Sequence, residues 1–396
     1  MSAEKSIAKT SSADSLIFRP KVGPEGDVLV AIFLRGGMDG IYTIPPFADR
    51  AFRAQRKAFG FFKPRRSGLI NLDDFFGFHP DFAPLESLYR EKRMAIVHAV
   101  GLEEPLLSHF DATRAIEQGT SGGRIATGWI GRHLAALPSA SNSIPSPLRA
   151  IAMGRGFPLA LQGAAAQSLD ALSDFRLEVP AGWDPGFSRV LRQMYAPGND
   201  LASTAGRETL ATIAVLQRLA NSRYQPANSA IYSQDAFGDH LSQVAQLIKA
   251  DVGLEAAVLE LSDWDSHISQ IDFLAGVMQS LAQGLQGFAQ DLGEHLRRVV
   301  VVVMSEFGRR VAPNDGGGTD HGRASAMLVI GGGIRGGKVY GRWPGLAADE
   351  LDEQGNLRVT TDYRDVLAEI VDRRLKNPRL DRVFPGLKPN YLNFTA

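Results

Sequence analysis

Six side chains able to bind a divalent cation fall in short, mostly glycine-rich stretches of this 396-residue chain: Asp39 in RGGMDG, Asp265 and His267 in WDSH, Glu306 in SEFGR, and Asp320 with His321 in GGGTDHG. Gathered at one place, four carboxylates and two imidazoles would disfavour their own charged forms unless cations sat among them. Each member also has an ordinary reading. An Asp beside Gly, as Asp39 is, or after three glycines, as Asp320 nearly is, suits a turn. Asp265 or Ser266 suits the N-cap of a following helix, which would leave His267 on its surface. What favours a metal centre is repetition, since separate segments all end in a carboxylate or a carboxylate–His pair.

A second stretch with chemical potential is EEPLLSHFDATRAIEQG, residues 103–119. Ser108 and Asp111 have the spacing of a capping box, so Ser108 is expected to open a helix. A hydroxyl there also sits where backbone N–H groups and the helix dipole favour an anion, the place for a nucleophile that accepts a phosphoryl or sulfuryl group. His109 beside it reads as a ligand, a general acid or a helix-start residue. Arg35, Arg309 and Arg323 lie inside the same motifs and could clamp a phosphate or sulfate, or pair with the carboxylates. His79 and His98 read as structural histidines, and His133, His240 and His295 have no motif around them.

Composition narrows the chemistry. The chain has 43 Lys plus Arg against 43 Asp plus Glu, and so gives no electrostatic case for nucleic acid or an anionic membrane. It has no cysteine, which excludes disulfides, thiolate nucleophiles and metal–thiolate sites. A small anionic substrate and a metal held by O and N donors remain. No apolar run is long enough to span a bilayer, and residues 1–26 carry neither an apolar signal core nor a twin-Arg motif. The chain as written is therefore expected in the cytoplasm, or in the periplasm if a signal is missing from it. The oligomeric state is left open.

The elements that must position these groups are readable from hydropathy. Continuous apolar, largely β-branched runs over 27–37, 93–101, 148–154, 256–263, 297–308 and 324–333 predict strands buried on both faces of a mostly parallel sheet. Helical spacing over 206–221, 238–250, 268–298 and 364–374 predicts the covering layers. The expectation is a three-layer α/β/α sandwich over residues 27–396, with a helical insertion at about 160–250 and a disordered arm over 1–26. Residues 134–147 and 196–205 read as loops. Open α/β sheets bind ligands at the carboxyl ends of their strands, and three of the acidic motifs follow strand-like runs directly.

The motif order RGGxDG, SHFDA, WDSH, SEFGR and GGTDHG, followed by an apolar strand and GGGIRGG, resembles the bacterial DUF1501 family from about residue 27 to the C-terminus. That family is in turn distantly similar to the alkaline phosphatase and sulfatase superfamily. The resemblance implies an alkaline phosphatase-like fold, with Asp39 as first-strand ligand, Ser108 at the nucleophile position, Asp265 with His267 as the later Asp and His, Glu306 as the acid ending a strand, and His321 as the final His. Phe307 stands where a metal-binding His is expected, and no formylglycine signature surrounds Ser108.

Together these readings imply a metal-dependent hydrolase of a phosphate or sulfate ester. Asp265, His267 and His321 would hold one ion, and Asp39 and Glu306, with Asp320 or His109, a second. Zinc suits the His-rich set, and manganese, magnesium or calcium the carboxylate-rich one. The nucleophile would be Ser108 or water, with His109 and Arg309 assisting. The alternative is a non-catalytic metal-containing binding or scaffold protein of the same fold.

Overall fold

A computed structural model describes residues 27–60, 68–137, 146–176, 184–198 and 200–396. The arm over 1–26 and most of the loop expected over 134–147 lie outside the described residues. The strands in chain order are β1 (Val28–Leu34), β2 (Ile70–Asn71), β3 (Gly77–Phe78), β4 (Met94–Gly101), β5 (Ala150–Met153), β6 (Gln167–Leu169), β7 (Ala256–Leu261), β8 (Val299–Ser305), β9 (Ser325–Gly331), β10 (Lys338–Tyr340) and β11 (Thr361–Asp362). All six apolar runs form strands. The reason is visible in β8, where VVVVVMS is buried at every position: β-branched side chains pack well on a pleated surface covered on both sides.

Nine strands form one sheet in the order β10-β4-β9-β8-β1-β7-β5-β6, with β11 beside β4, while β2 and β3 pair separately. Pairing is parallel throughout the large sheet except at β9, which runs antiparallel to both β4 and β8. Alternate residues of β1 enter two different cores. Val28, Val30 and Ile32 share one core with Leu274, Met278, Leu281 and Phe288 of the helix Gln270–Leu292. Leu29, Ala31 and Phe33 join the opposite core, which holds Ala112 and Ile116 of the helix His109–Gln118 and Val366 and Leu367 of the helix Tyr363–Glu369. This is the three-layer arrangement the period-2 and period-3.6 patterns require.

Some local expectations need correction. Residues 201–205 are helical, because Asp200 accepts from Ser203 N and caps the helix Leu201–Asn221. The span 160–250 also contributes an edge strand, β6, in addition to the helices Asp184–Tyr195, Leu201–Asn221 and Ala236–Lys249. Neither Asp265 nor Ser266 caps the long helix, which begins at Gln270 with Ser269 before it in the left-handed region. The WDSH segment is instead a loop, zipped to the glycine turn by Thr319 N to Ser266 O, Ser269 N to Gly316 O and Gln270 N to Gly317 O.

Register explains why the motifs meet. Leu34 pairs with both Leu261 and Ser305, so β1, β7 and β8 end side by side. Because β9 is antiparallel, its amino end lies at that same edge and brings the turn 316–321 with it. β4 is antiparallel to β9, so its carboxyl end also arrives there and leads into Ser108 and His109.

Candidate metal centre

The centre is assembled from four segments at this sheet edge. His109, Asp265 and His321 each offer one ligand atom, and these atoms all lie within 4.8 Å of one another. His267 borders the group, with its Nε2 3.0 Å from His321 Nε2 and 3.1 Å from Asp265 Oδ1. His321 Nε2 is 3.3 Å from the same Oδ1, and His109 Nε2 is 3.6 Å from Asp265 Oδ2.

The other nitrogen of each imidazole is tied down. His321 Nδ1 donates to Leu107 O at 2.9 Å, His267 Nδ1 to Asp320 Oδ1 at 3.2 Å, and His109 Nδ1 to Glu306 Oε1 at 2.8 Å. A carbonyl or carboxylate oxygen can only accept, so each Nδ1 carries a proton, and each ring in its neutral form presents a lone pair at Nε2. His267 Nε2 and His321 Nε2 face each other at 3.0 Å beside a carboxylate oxygen, and with both rings neutral a cation between them would satisfy the two lone pairs. Donors about 2.0–2.1 Å from a tetrahedral ion stand about 3.3 Å apart, which the observed separations approximate. Backing of ligand histidines by carboxylates and carbonyls is the usual support of a metal site. Phe307, buried at this edge, packs its ring 4.9 Å from that of His109 and 4.6 Å from that of His321, and so forms an apolar floor beneath them.

The electrostatics follow from the same contacts. The hydrogen bond that His109 donates to Glu306 raises the His109 pKa, outweighing burial, whereas burial lowers that of His321. Burial opposes the charged forms of Asp265 and Glu306, but Arg309 and His109 respectively outweigh it and hold both below the usual carboxylate range. Asp320 is lowered by the Asn314 amide and by His267.

Arg309 lies beneath the site, 1% exposed. It donates from Nε to Gly37 O, from Nη1 to Thr319 O, and from Nη2 to Gly36 O, Trp264 O and Asp265 Oδ1. Expected to assist catalysis directly, it is placed as a clamp on three strand-end segments. Close approach here needs glycine: Gly36 has φ +120°, and a Cβ on it would sit 2.4 Å from Asp265 N. A Cβ on Gly318 would sit 2.3 Å from the His267 carbonyl carbon.

Of the set expected around a second ion, Glu306 meets His109, whereas Asp39 is committed elsewhere. Asp39 is fully buried and engaged by Arg56 at 2.6 Å, Gln270 Nε2 at 2.8 Å and Tyr42 N at 3.2 Å, and it caps the short helix Gly40–Thr43. Glu306 accepts from His109, Gly36 N and Ser305 Oγ. Ser108 is the N-cap of His109–Gln118, but its hydroxyl makes no cap bond, and Asp111 pairs with Arg114 instead of closing a capping box. Arg323 donates to Leu102 O and Glu103 O, away from the donors.

Residues that sequence reasoning missed are the supporting ones. Asn314 bonds His267 O, Asp320 Oδ1, and Gly316 N and Gly318 N, ordering the whole glycine turn. Gln270 links Asp39 to Thr319. Arg56 carries no motif, whereas Asn314 was recoverable, since Asn two residues ahead of a glycine run is a turn former.

The DUF1501 family model, described as a protein of unknown function, matches residues 96–385. No curated protein matches the chain. Among solved structures, it is similar to the C-terminal periplasmic domain of EcEptC from Escherichia coli in complex with Zn, at 8% identity and a TM-score of 0.37, covering 78% of this chain and 74% of that one. It is similar to BT1596, a 2-O GAG sulfatase, at 10% identity and 0.35, covering 88% and 71%. It is also similar to alkaline phosphatase from the Antarctic bacterium TAB5, at 11% identity and 0.33, covering 80% and 92%. Among the described residues no helix is long and apolar enough to cross a membrane.

Proposed function

This chain belongs to the DUF1501 family, and we propose that it is a metal-dependent hydrolase of a phosphate or sulfate ester. One observation carries the reading: three imidazoles with their Nδ1 positions fixed by acceptors turn their Nε2 lone pairs toward Asp265 at the carboxyl edge of the sheet. His109, Asp265, His267 and His321 would hold one divalent ion, and zinc suits this N-rich donor set. Such an ion would polarise an ester oxygen and lower the pKa of a hydroxyl or water beside it.

The protein's own groups do the rest. Glu306 holds His109 in one tautomer, and Arg309 fixes Asp265 while leaving its Oδ2 toward His109. Ser108 stands between Leu107, whose carbonyl orients His321, and His109 itself. Its hydroxyl is uncommitted to the cap, and the first-turn N–H groups of the ten-residue helix favour an anion there. Ser108 or water would attack, and the superfamily resemblance of the motifs supports an ester of phosphate or sulfate.

The test is elemental analysis of the purified protein, as isolated and after zinc reconstitution, beside Asp265→Ala and His321→Ala. One equivalent lost in both variants, with turnover of p-nitrophenyl phosphate or sulfate by the parent, is expected. No bound metal after reconstitution would overturn the metal centre, and full metal without turnover would leave a binding protein.

A further inference from the structure

An open cavity of about 510 Å³ lies beside the donor group and the helix His109–Gln118, with Arg35, His109, Phe110, Arg114, Leu159 and Asp265 among its lining. Phe110, Thr113, Arg114 and Glu117 follow one another at i, i+3, i+4 and i+7, so they form one stripe of this helix. His109 and Asp265 belong both to this lining and to the donor group. Phe110 at the mouth is 86% exposed, the most exposed large apolar side chain among the described residues. Most of the accessible lining is apolar.

The two arginines in the cavity are both neutralised. Arg35 pairs with Glu117 and Glu260, and its guanidinium stacks 4.9 Å over the Phe33 ring. Arg114 pairs with Asp111. Glu117 also accepts from Ala160 N at 2.9 Å, which pins the turn carrying Leu159 to the cavity wall. Three carboxylates therefore balance two guanidiniums, and no lining cation is left over for a second anionic group.

We infer that this cavity takes the uncharged, apolar part of the substrate, an aryl or similar ring on the ester's leaving-group side, and that Phe110 is the residue that selects it. The inference rests on the hydrolase reading, because the ester's anionic end must sit at the donor group for the ring to reach Phe110. Exposed Phe at a site mouth gains contact area only when a ring covers it, and aromatic pairs favour this beyond simple burial.

Binding of non-hydrolysable phosphonates to the zinc-loaded protein, measured by titration calorimetry, tests it without turnover. Phenylphosphonate is expected to bind about tenfold more tightly than methylphosphonate. Phe110→Ala should erase that preference, while Phe157→Ala, at an exposed Phe outside the cavity lining, should retain it. 4-Phosphonobenzoate should lose most of the phenyl advantage, because its carboxylate meets no free cation. Equal affinity for phenyl and methyl, a preference unchanged in Phe110→Ala, or tighter binding of the carboxylate would overturn the inference and leave the hydrolase reading standing. Failure of every phosphonate to bind the zinc-loaded protein would overturn both.

Discussion

Asp39 and Asp265 follow neighbouring strands of one sheet, and each is held by an arginine, yet only one of them is available for chemistry. Asp39 and Arg56 are sealed, with side chains 0% and 1% exposed, and Gln270 and Tyr42 N take the remaining acceptor capacity. Asp265 meets an equally buried guanidinium on one side but is 47% exposed on the other, where three imidazoles face it. An acidic residue ligates when it keeps a lone pair that nothing else claims. The sealed pair works as structure, and its neighbour His98 belongs to the same interior, with Nε2 3.0 Å from Ile44 O and Nδ1 accepting from Ala99 N. Both nitrogens of His98 are committed, unlike those of His109, His267 and His321.

The contrast is broken or sharpened most strongly by paired alanine substitutions. Asp39→Ala strands the Arg56 charge in the interior and should cost about 3–5 kcal/mol in denaturant unfolding, without removing the donors for metal. Asp265→Ala leaves Arg309 with four backbone carbonyls and should cost the metal-free protein only about 1–2 kcal/mol while abolishing metal binding. Equal stability losses in the two variants would erase the distinction.

The next effect is pH dependence of the buried side. Burial pulls His98 down to about 4 and His133 to about 3, against about 6.5 in an unfolded chain. Well above pH 6.5 neither state is protonated and their contribution is complete. Between about 6.5 and 4 the unfolded chain takes up protons that the folded chain refuses, so each histidine removes about 1.4 kcal/mol per pH unit as pH falls. His98→Gln should flatten the stability profile by that slope in this window; an unchanged slope would mean that His98 titrates normally.

The smallest effect concerns support of the open side. Glu306→Gln keeps the volume but removes the charge behind His109, and zinc affinity measured by chelator competition should fall about 10–100-fold. An unaltered affinity would show that His109 does not hold the ion.

How much of this was legible beforehand depends on the range of the cause. The β-branched run of β8 and the helical spacing of Gln270–Leu292 announce themselves because local hydropathy and the strand or helix period alone decide them. Gathering His267, His321 and Asp265 was foreseeable from motif positions at strand ends. The loss of Asp39 to Arg56, 17 residues on, was not, because nothing in either residue's neighbourhood marks the pairing. Nor was the demotion of the capping box, where Asp111 turned to Arg114 and left the Ser108 hydroxyl unbonded.

By itself, then, the sequence determined the layers, the strands and the set of groups that could bind a cation, since residue type and periodicity are local properties. Only the tertiary structure decided that Asp39 is withdrawn from that set while His109 joins Asp265, His267 and His321. The antiparallel course of β9 carries His321 to the ends of β1, β7 and β8, and the burial of two arginines commits one aspartate wholly and the other by one oxygen. Hydrogen-bonding capacity is finite, and packing alone settles which long-range partner takes it.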